Sequence, residues 1–230
     1  MTRLTGQERA TYVQNMFTRI AKRYDLMNRL MTGGQDVRWR KQVIQLARLG
    51  NHASLLDLGT GTGDLAREAV AQFPRAKVIA ADFTLEMMRV GQKHGPLNFS
   101  SADALLLPFT DASFDAVVSG FLMRNVIDLQ KAIQEQHRVL KKGGRIVILD
   151  TTRPNKNLLS PFIWLHMHVV IPVLGRLLTG SSDAYRYLPE TTEGFVTAEN
   201  MASRMAAAGF KKVGYQRLMF GTIAIHWGEK

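Results

Sequence analysis

From residue 54 onward the chain alternates short apolar runs with longer stretches that carry apolar residues at helical spacing. Ser54–Leu58 precedes a helical pattern over 63–73, and Lys77–Asp82 precedes another over 84–93. Strand-like runs follow at Leu97–Ser101, Phe114–Ser119 and Arg145–Asp150, with a helix near 128–140 and Lys142-Gly143-Gly144 as the turn into the last run. This alternation predicts parallel strands joined by right-handed crossovers. A helix over 197–208 ends at Gly209, and two further strand-like segments, Lys211–Arg217 and Phe220–Trp227, close the chain. Upstream, Val13, Met16, Phe17, Ile20 and Ala21 form one stripe of a helix over 7–23, and Trp39, Val43, Leu46 and Ala47 share a face of a helix over 36–48. The apolar segment Leu158–Leu178 is interrupted by Pro161, His166, His168, Pro172 and Arg176. Its unbroken runs fall short of the ~20 residues a membrane span needs, so it predicts a broken helical cover over a pocket. A polar stretch around Gly180–Thr192 follows, and there is no internal repeat.

The chemistry concentrates where the first strand ends. Leu55-Leu56-Asp57-Leu58 runs into Gly59-Thr60-Gly61-Thr62-Gly63-Asp64, a glycine turn opening a helix whose first N–H groups lack partners. The spacing is not the GxGxxG of a dinucleotide site, because the third glycine comes one residue early and Asp64 is a poor neighbour for a pyrophosphate. Nor is it the GxxxxGK[ST] phosphate loop. It resembles the GxGxG turn of S-adenosylmethionine-dependent methyltransferases, whose ligand carries a sulfonium and an amino acid end. Asp82, ending the second strand, can accept from both ribose hydroxyls; the alternative is a cap for the helix at 84–93, a role open to Thr84 too. Asp103-Ala104 after the third strand pairs a carboxylate for an adenine amino group with a small residue that admits the ring, or is an ordinary loop Asp. Asp57 faces the amino acid end of the ligand or is a satisfied strand-end carboxylate.

Charge adds a second theme. The net +11 is uneven: residues 1–50 carry +7, residues 51–150 are neutral and residues 151–230 carry +4. The basic excess lies outside the glycine-turn core, and composition alone does not separate a solvated surface from attraction to an anionic membrane or to nucleic acid. There is no cysteine, so no disulfide framework or thiolate chemistry, and six scattered histidines suggest no metal site; His166 and His168 point to different faces. Met1–Ala10 lacks the apolar core of a signal peptide, which predicts a cytoplasmic protein.

A family resemblance emerges from motifs in order along the chain. Tyr24-Asp25-Leu26-Met27-Asn28 with Trp39, Arg124-Asn125-Val126, Arg138-Val139-Leu140-Lys141 with Gly143-Gly144, and Tyr185-Arg186-Tyr187-Leu188-Pro189-Glu190 resemble the ubiquinone/menaquinone biosynthesis C-methyltransferases. The resemblance departs at Thr32, Asp36, Gly120, Asp150 and Thr152. It implies a doubly wound, Rossmann-like α/β fold of the class I methyltransferases, a seven-stranded, mostly parallel sheet ending in an antiparallel hairpin. One domain would span 1–230, with a basic helical cap (1–50), a cofactor core (51–150), a helical substrate cover (151–195) and a C-terminal helix and hairpin (196–230). It implies S-adenosyl-L-methionine as cofactor, contacted by Asp57, Gly59, Thr60, Gly61, Thr62, Gly63, Asp82, Phe83, Asp103, Ala104 and Gly120.

The implied reaction is C-methylation of a reduced polyprenylated quinone precursor. Arg124, Asn125 and Tyr24 would orient the phenol and favour its anion, Arg124 as oxyanion stabiliser rather than base while water carries the proton. The N-terminal helix and the 158–178 segment would cover an isoprenoid channel, and the basic N-terminus would hold the protein peripherally at the inner membrane surface. A homodimer is compatible with this reading, and no nucleic-acid partner is expected. The competing readings are the same cofactor fold acting on RNA or another hydrophobic molecule, a cofactor-binding scaffold without catalysis, and, last, a nicotinamide oxidoreductase.

Overall fold

Strands buried on both faces read as continuous apolar runs, because helices cover a parallel sheet above and below. The computed structural model, which describes residues 6–154, 160–170, 173 and 191–230, shows this arrangement. Strands β1 (Ser54–Leu58), β2 (Lys77–Asp82), β3 (Asn98–Ser101), β4 (Phe114–Gly120), β5 (Leu140–Thr151), β6 (Lys211–Leu218) and β7 (Ile223–Glu229) form one sheet in the order β3-β2-β1-β4-β5-β7-β6. The first five are parallel, and β7 runs antiparallel to both β5 and β6. This is the doubly wound sheet with a closing hairpin, and the order reverses between β1 and β4, where ligands of such sheets bind.

Side chains alternate across each strand. Leu56, Leu58, Val117, Ile146 and Ile148 pack toward α6 (Leu129–Val139) and α8 (Ala198–Ala207) through Ala132, Ile133, Met201 and Met205. Leu55, Val118, Val147 and Leu149 face the other way, onto α3 (Gln35–Ala47) and α4 (Asp64–Gln72) through Trp39, Val43, Ile44, Leu65 and Ala66. The remaining helices are α1 (Gly6–Ile20), α2 (Tyr24–Met31), α5 (Leu85–Gln92) and α7 (Ser160–Leu165), the last continuing into a π-turn at His166–Val170.

Three boundaries differ from the sequence pattern by more than two residues. The helix expected over 7–23 stops at Ile20, passes through a 3₁₀ turn at Ala21–Arg23 and restarts as α2, which the pattern did not separate. Lys142-Gly143-Gly144 is not a turn before β5 but a bulge within it: Phe114 pairs with Leu140 and Ala116 with Arg145, and Gly143 takes φ +78° to absorb the extra residues. The last strand starts at Ile223, because Phe220, at φ +56°, sits in a short 3₁₀ turn (Met219–Gly221). The motif Tyr185–Glu190 and most of 171–190 lie outside the described residues. No helix among the described residues is long and apolar enough to cross a membrane.

Candidate active site

The turn after β1 is held by carboxylates rather than by lysine. Gly59, Gly61 and Gly63 all take positive φ, at +67°, +59° and +94°, which a Cβ would strain. Asp82, at the end of β2, accepts from the Gly61 N–H at 2.8 Å through Oδ2 and from the Thr84 N–H at 2.7 Å through Oδ1, tying the turn to the start of α5. Asp57 accepts from the Thr60 hydroxyl at 2.5 Å and the Ala66 N–H at 3.0 Å, both through Oδ2. Its Oδ1 is buried with no hydrogen-bond partner among the described residues. Burial pushes the Asp57 carboxyl up to about 7 against the pull of those two hydrogen bonds. Burial also raises Asp82 and Asp25, the latter accepting from the Thr62 hydroxyl at 2.8 Å.

A cavity of about 140 Å³ opens over this turn, at the carboxyl ends of β1, β2 and β4. Gly59, Gly61, Asp82, Phe83, Asp103, Ala104 and Gly120 all line it. Asp57, Thr60 and Thr62 line a smaller adjoining recess with Tyr24 and Asn28. Gly63 lines neither; a Cβ there would meet Leu97 Cδ1 at 2.6 Å, so it serves helix packing. The cavity's outer wall is α1. Val13 and Phe17, half-buried on the stripe whose Met16 and Ile20 are buried, face it, and Gln14 donates to the Phe83 carbonyl at 3.3 Å. The N-terminal helix therefore covers this cavity, not the channel for an apolar substrate expected from its sequence.

The second cavity, about 290 Å³, lies beyond Phe121, which lines both. Its walls are mainly apolar: Met31 from α2, Phe162 and Ile163 from α7, Met219, Phe220 and Ile223 around β7. Among the described residues, its ionisable lining side chains are Arg124 and His166. Arg124 is 6% exposed and paired with buried Asp150: Nη1 donates to Oδ1 at 3.0 Å, and its backbone N–H donates to Oδ2 at 3.2 Å. Its guanidinium carbon lies 5.0 Å from the Phe121 ring centroid. Asn125 donates to the Phe121 carbonyl at 3.0 Å and lines the first cavity. Burial raises the Tyr24 phenol, with Arg124 opposing, so this hydroxyl keeps its proton.

These two adjoining chambers, one ringed by carboxylates and one apolar, are accompanied by a match of residues 4–230 to the profile of the ubiE/COQ5 methyltransferase family. The chain belongs to the ubiE/COQ5 methyltransferase family. The ubiquinone/menaquinone biosynthesis C-methyltransferase UbiE of Desulfotalea psychrophila is 45% identical over 95% of this chain and 90% of its own. The demethylmenaquinone methyltransferase of Thermus thermophilus is 44% identical over 94% of this chain and 100% of its own. The [4+2]-cyclase SpnF has the same fold, with TM-score 0.70 over 98% of this chain and 96% of its own, at 16% identity.

The methyltransferase uses S-adenosylmethionine, and its own walls fit that group. Three carboxylates, Asp57, Asp82 and Asp103, suit a cationic ligand and would repel a pyrophosphate. At Gly61 an added Cβ would stand 3.2 Å from Met87 Cε, so the turn leaves room only for a close-approaching ligand. The methyltransferase also holds site features that the sequence reading missed. Asp150 appeared only as a departure from the family pattern, although its place one residue past Leu149, which pairs with Gly120, sets it beside the β4 loop. Thr32 and Asp36, two other departures, bond to each other at 3.1 Å, and Asp36 is further paired with Arg40 at 3.1 Å.

Proposed function

We propose that this methyltransferase methylates a ring carbon of a reduced polyprenylated quinone precursor, demethylmenaquinol-like or ubiquinol-precursor-like. The observation that carries the reading is the apolar cavity meeting the carboxylate-ringed one at Phe121, with Arg124 in the apolar cavity 5.0 Å from that ring. When bound, S-adenosylmethionine supplies an electrophilic methyl group. Asp82 would hold its ribose hydroxyls, Asp103 and Ala104 its adenine beside the exposed Phe83 ring, and Asp57 its ammonium, with Gly59, Gly61, Thr60, Thr62 and Gly120 shaping the floor.

A ring carbon is a weak nucleophile until the adjacent hydroxyl loses its proton and pushes charge into the ring. Arg124 stabilises that oxyanion with a planar set of donors, and Asp150 keeps the guanidinium in place. Asn125 fixes the loop by bonding the Phe121 carbonyl, and Tyr24 contributes a neutral hydroxyl to the wall of the carboxylate-ringed chamber. Phe121 and the apolar walls exclude water, which strengthens the Arg124 interaction.

The substrate's prenyl tail places the reaction at a bilayer. Phe162 (70% exposed) and Phe220 (69% exposed) line the apolar cavity, and Trp164 (57% exposed) follows on α7, while residues 1–50 carry +7. This supports transient contact with an anionic membrane surface. The test is incubation of the purified chain with labelled S-adenosylmethionine and host lipid extract, followed by mass identification of the product. A label on a quinone ring is expected; label confined to RNA or to a water-soluble product would refute the reading. Liposome cosedimentation should weaken with salt, and Arg124→Ala retaining full turnover would remove Arg124 from its role.

A further inference from the structure

The quinol reading leaves one proton without a destination inside the apolar cavity. A guanidinium has no acceptor lone pair, so Arg124 can hold an oxyanion but cannot take the proton that creates it. Asp150 is committed: Oδ1 accepts from Arg124 Nη1 and from the Thr151 N–H at 2.7 Å, Oδ2 from the Arg124 N–H, and the residue does not line the cavity. Tyr24 lines the other chamber and retains its own proton.

Among the described residues, the second ionisable side chain of the cavity is His166, in the π-turn that follows α7. Its Nε2 lies 3.3 Å from the Met31 carbonyl oxygen on α2. A carbonyl only accepts, so in the neutral ring Nε2 carries the hydrogen and Nδ1 carries the lone pair. The imidazole is half-buried and forms no other hydrogen bond among the described residues. Among the described residues, the ionisable side chain that shares the cavity with it is Arg124 of the β4 loop, and two positions further along its own segment His168 pairs with Glu193 at 3.3 Å.

Resting on the quinol reading, we infer that His166 is the general base: Nδ1 takes the proton of the substrate hydroxyl next to the methylated carbon. The O–H bond breaks, an N–H bond forms at Nδ1, and the electron pair stays on oxygen, held by Arg124 and conjugated into the ring. That pair lets the ring carbon form its new bond to the methyl group as the methyl–sulfur bond breaks and its electron pair leaves on the sulfur of S-adenosylhomocysteine. The hydrogen displaced from that carbon then leaves as a proton to water, and the imidazolium returns its proton to the oxygen, restoring the aromatic quinol and the neutral base. One proton is released per methyl transferred. The base therefore sits on the helical cover rather than on the sheet, so the cover takes part in the chemistry.

The test is His166→Gln, whose amide can still donate to the Met31 carbonyl but offers no basic lone pair. We expect kcat to fall about 100-fold at pH 7, the order a positioned base contributes, with S-adenosylhomocysteine affinity and quinol KM within threefold of wild type. The wild-type rise of kcat with pH should vanish in the variant. A second readout needs no turnover: 4-nitro-1-naphthol bound to wild type should show its phenolate absorption band at a pH where the free phenol is protonated, and the variant should lose that band. A variant with near-wild-type kcat and an unchanged pH inflection overturns the assignment of His166 while leaving the quinol reading in place. Wild type that ionises the naphthol through His166 but methylates no quinol upholds the base and overturns the quinol reading. Loss of S-adenosylhomocysteine binding in His166→Gln would mean a structural role, and would overturn the assignment unless His166→Asn bound it and lost the band.

Discussion

Asp57→Asn probes the stored electrostatic cost of the donor site. Asp57 is 0% exposed, and its carboxyl is raised from 3.8 to about 7 by burial. Ionising it in the fold therefore costs about 4 kcal/mol more than in the unfolded chain, at ~1.36 kcal/mol per tenfold change in proton affinity. Between pH 3.8 and about 7 the folded protein keeps this proton and the unfolded chain releases it, so the Asp57 contribution lowers stability as pH rises through that window and is constant above it. His226 works in the opposite direction. Buried and bonded through Nε2 to the Ala198 carbonyl at 3.0 Å, it is held down to about 4. Between pH 6.5 and about 4 the unfolded chain takes up a proton that the fold refuses, so this group adds about 3 kcal/mol as pH rises. The two contributions largely cancel in wild type. In Asp57→Asn the side-chain carbonyl can still accept from Thr60 and Ala66, while the titration is gone. Urea denaturation without cofactor, followed by circular dichroism from pH 4 to pH 8, should show the variant gaining stability relative to wild type by about 4 kcal/mol across this range. A difference between the two proteins that stays constant within about 1 kcal/mol would refute the reasoning, because all other titrating groups are shared.

Asp150→Asn should lower stability by about 3 kcal/mol, because it strands the buried Arg124 charge, whereas the double change Asp150→Leu with Arg124→Met should recover most of it; equal stability of wild type and Asp150→Asn in thermal melts would contradict the pairing. Thr151→Val removes a buried hydroxyl that has no hydrogen-bond partner among the described residues, so the unliganded protein should gain about 1 kcal/mol in urea titrations, and a loss of that size would show the hydroxyl to be paired. Gly61→Ala places a Cβ 3.2 Å from Met87 Cε at φ +59°; calorimetry should show S-adenosylhomocysteine binding at least tenfold weaker, and unchanged affinity would move the ligand elsewhere. Binding of S-adenosylmethionine should release protons near pH 7, because its ammonium favours ionised Asp57; calorimetric heats independent of buffer ionisation enthalpy would place that group away from Asp57.

What could be read before the structure was the local part. β1 and β2 have the bounds their apolar runs suggested, because a strand covered on both faces and stopped by a glycine or aspartate turn leaves its whole length in the pattern. The bulge at Lys141–Gly144 was hidden because a glycine pair reads the same in a turn as in an interrupted ladder. The gathering of Asp57, Asp82, Asp103 and the glycine turn followed from strand-end positions in a parallel sheet. The Arg124–Asp150 pair did not, since it depends on the register that sets Gly120 against Leu149. The position of α1 was equally invisible: an amphipathic stripe says that a helix buries one side, but not against what.

The placement of α1 sets an order of events for the ligands. Its Arg9 donates to the Arg124 carbonyl at 2.9 Å while Gln14 grips the Phe83 carbonyl, so one helix is fastened to both the loop after β4 and the rim of the carboxylate-ringed cavity, the places proposed for quinol and donor. The spent donor cannot depart past this bar without slackening the grip on the acceptor's loop. On the proposed assignment the methylated product should therefore leave first, from the apolar cavity that α7 and Phe220 line, and exchange of the donor should set the pace of repeated turnover.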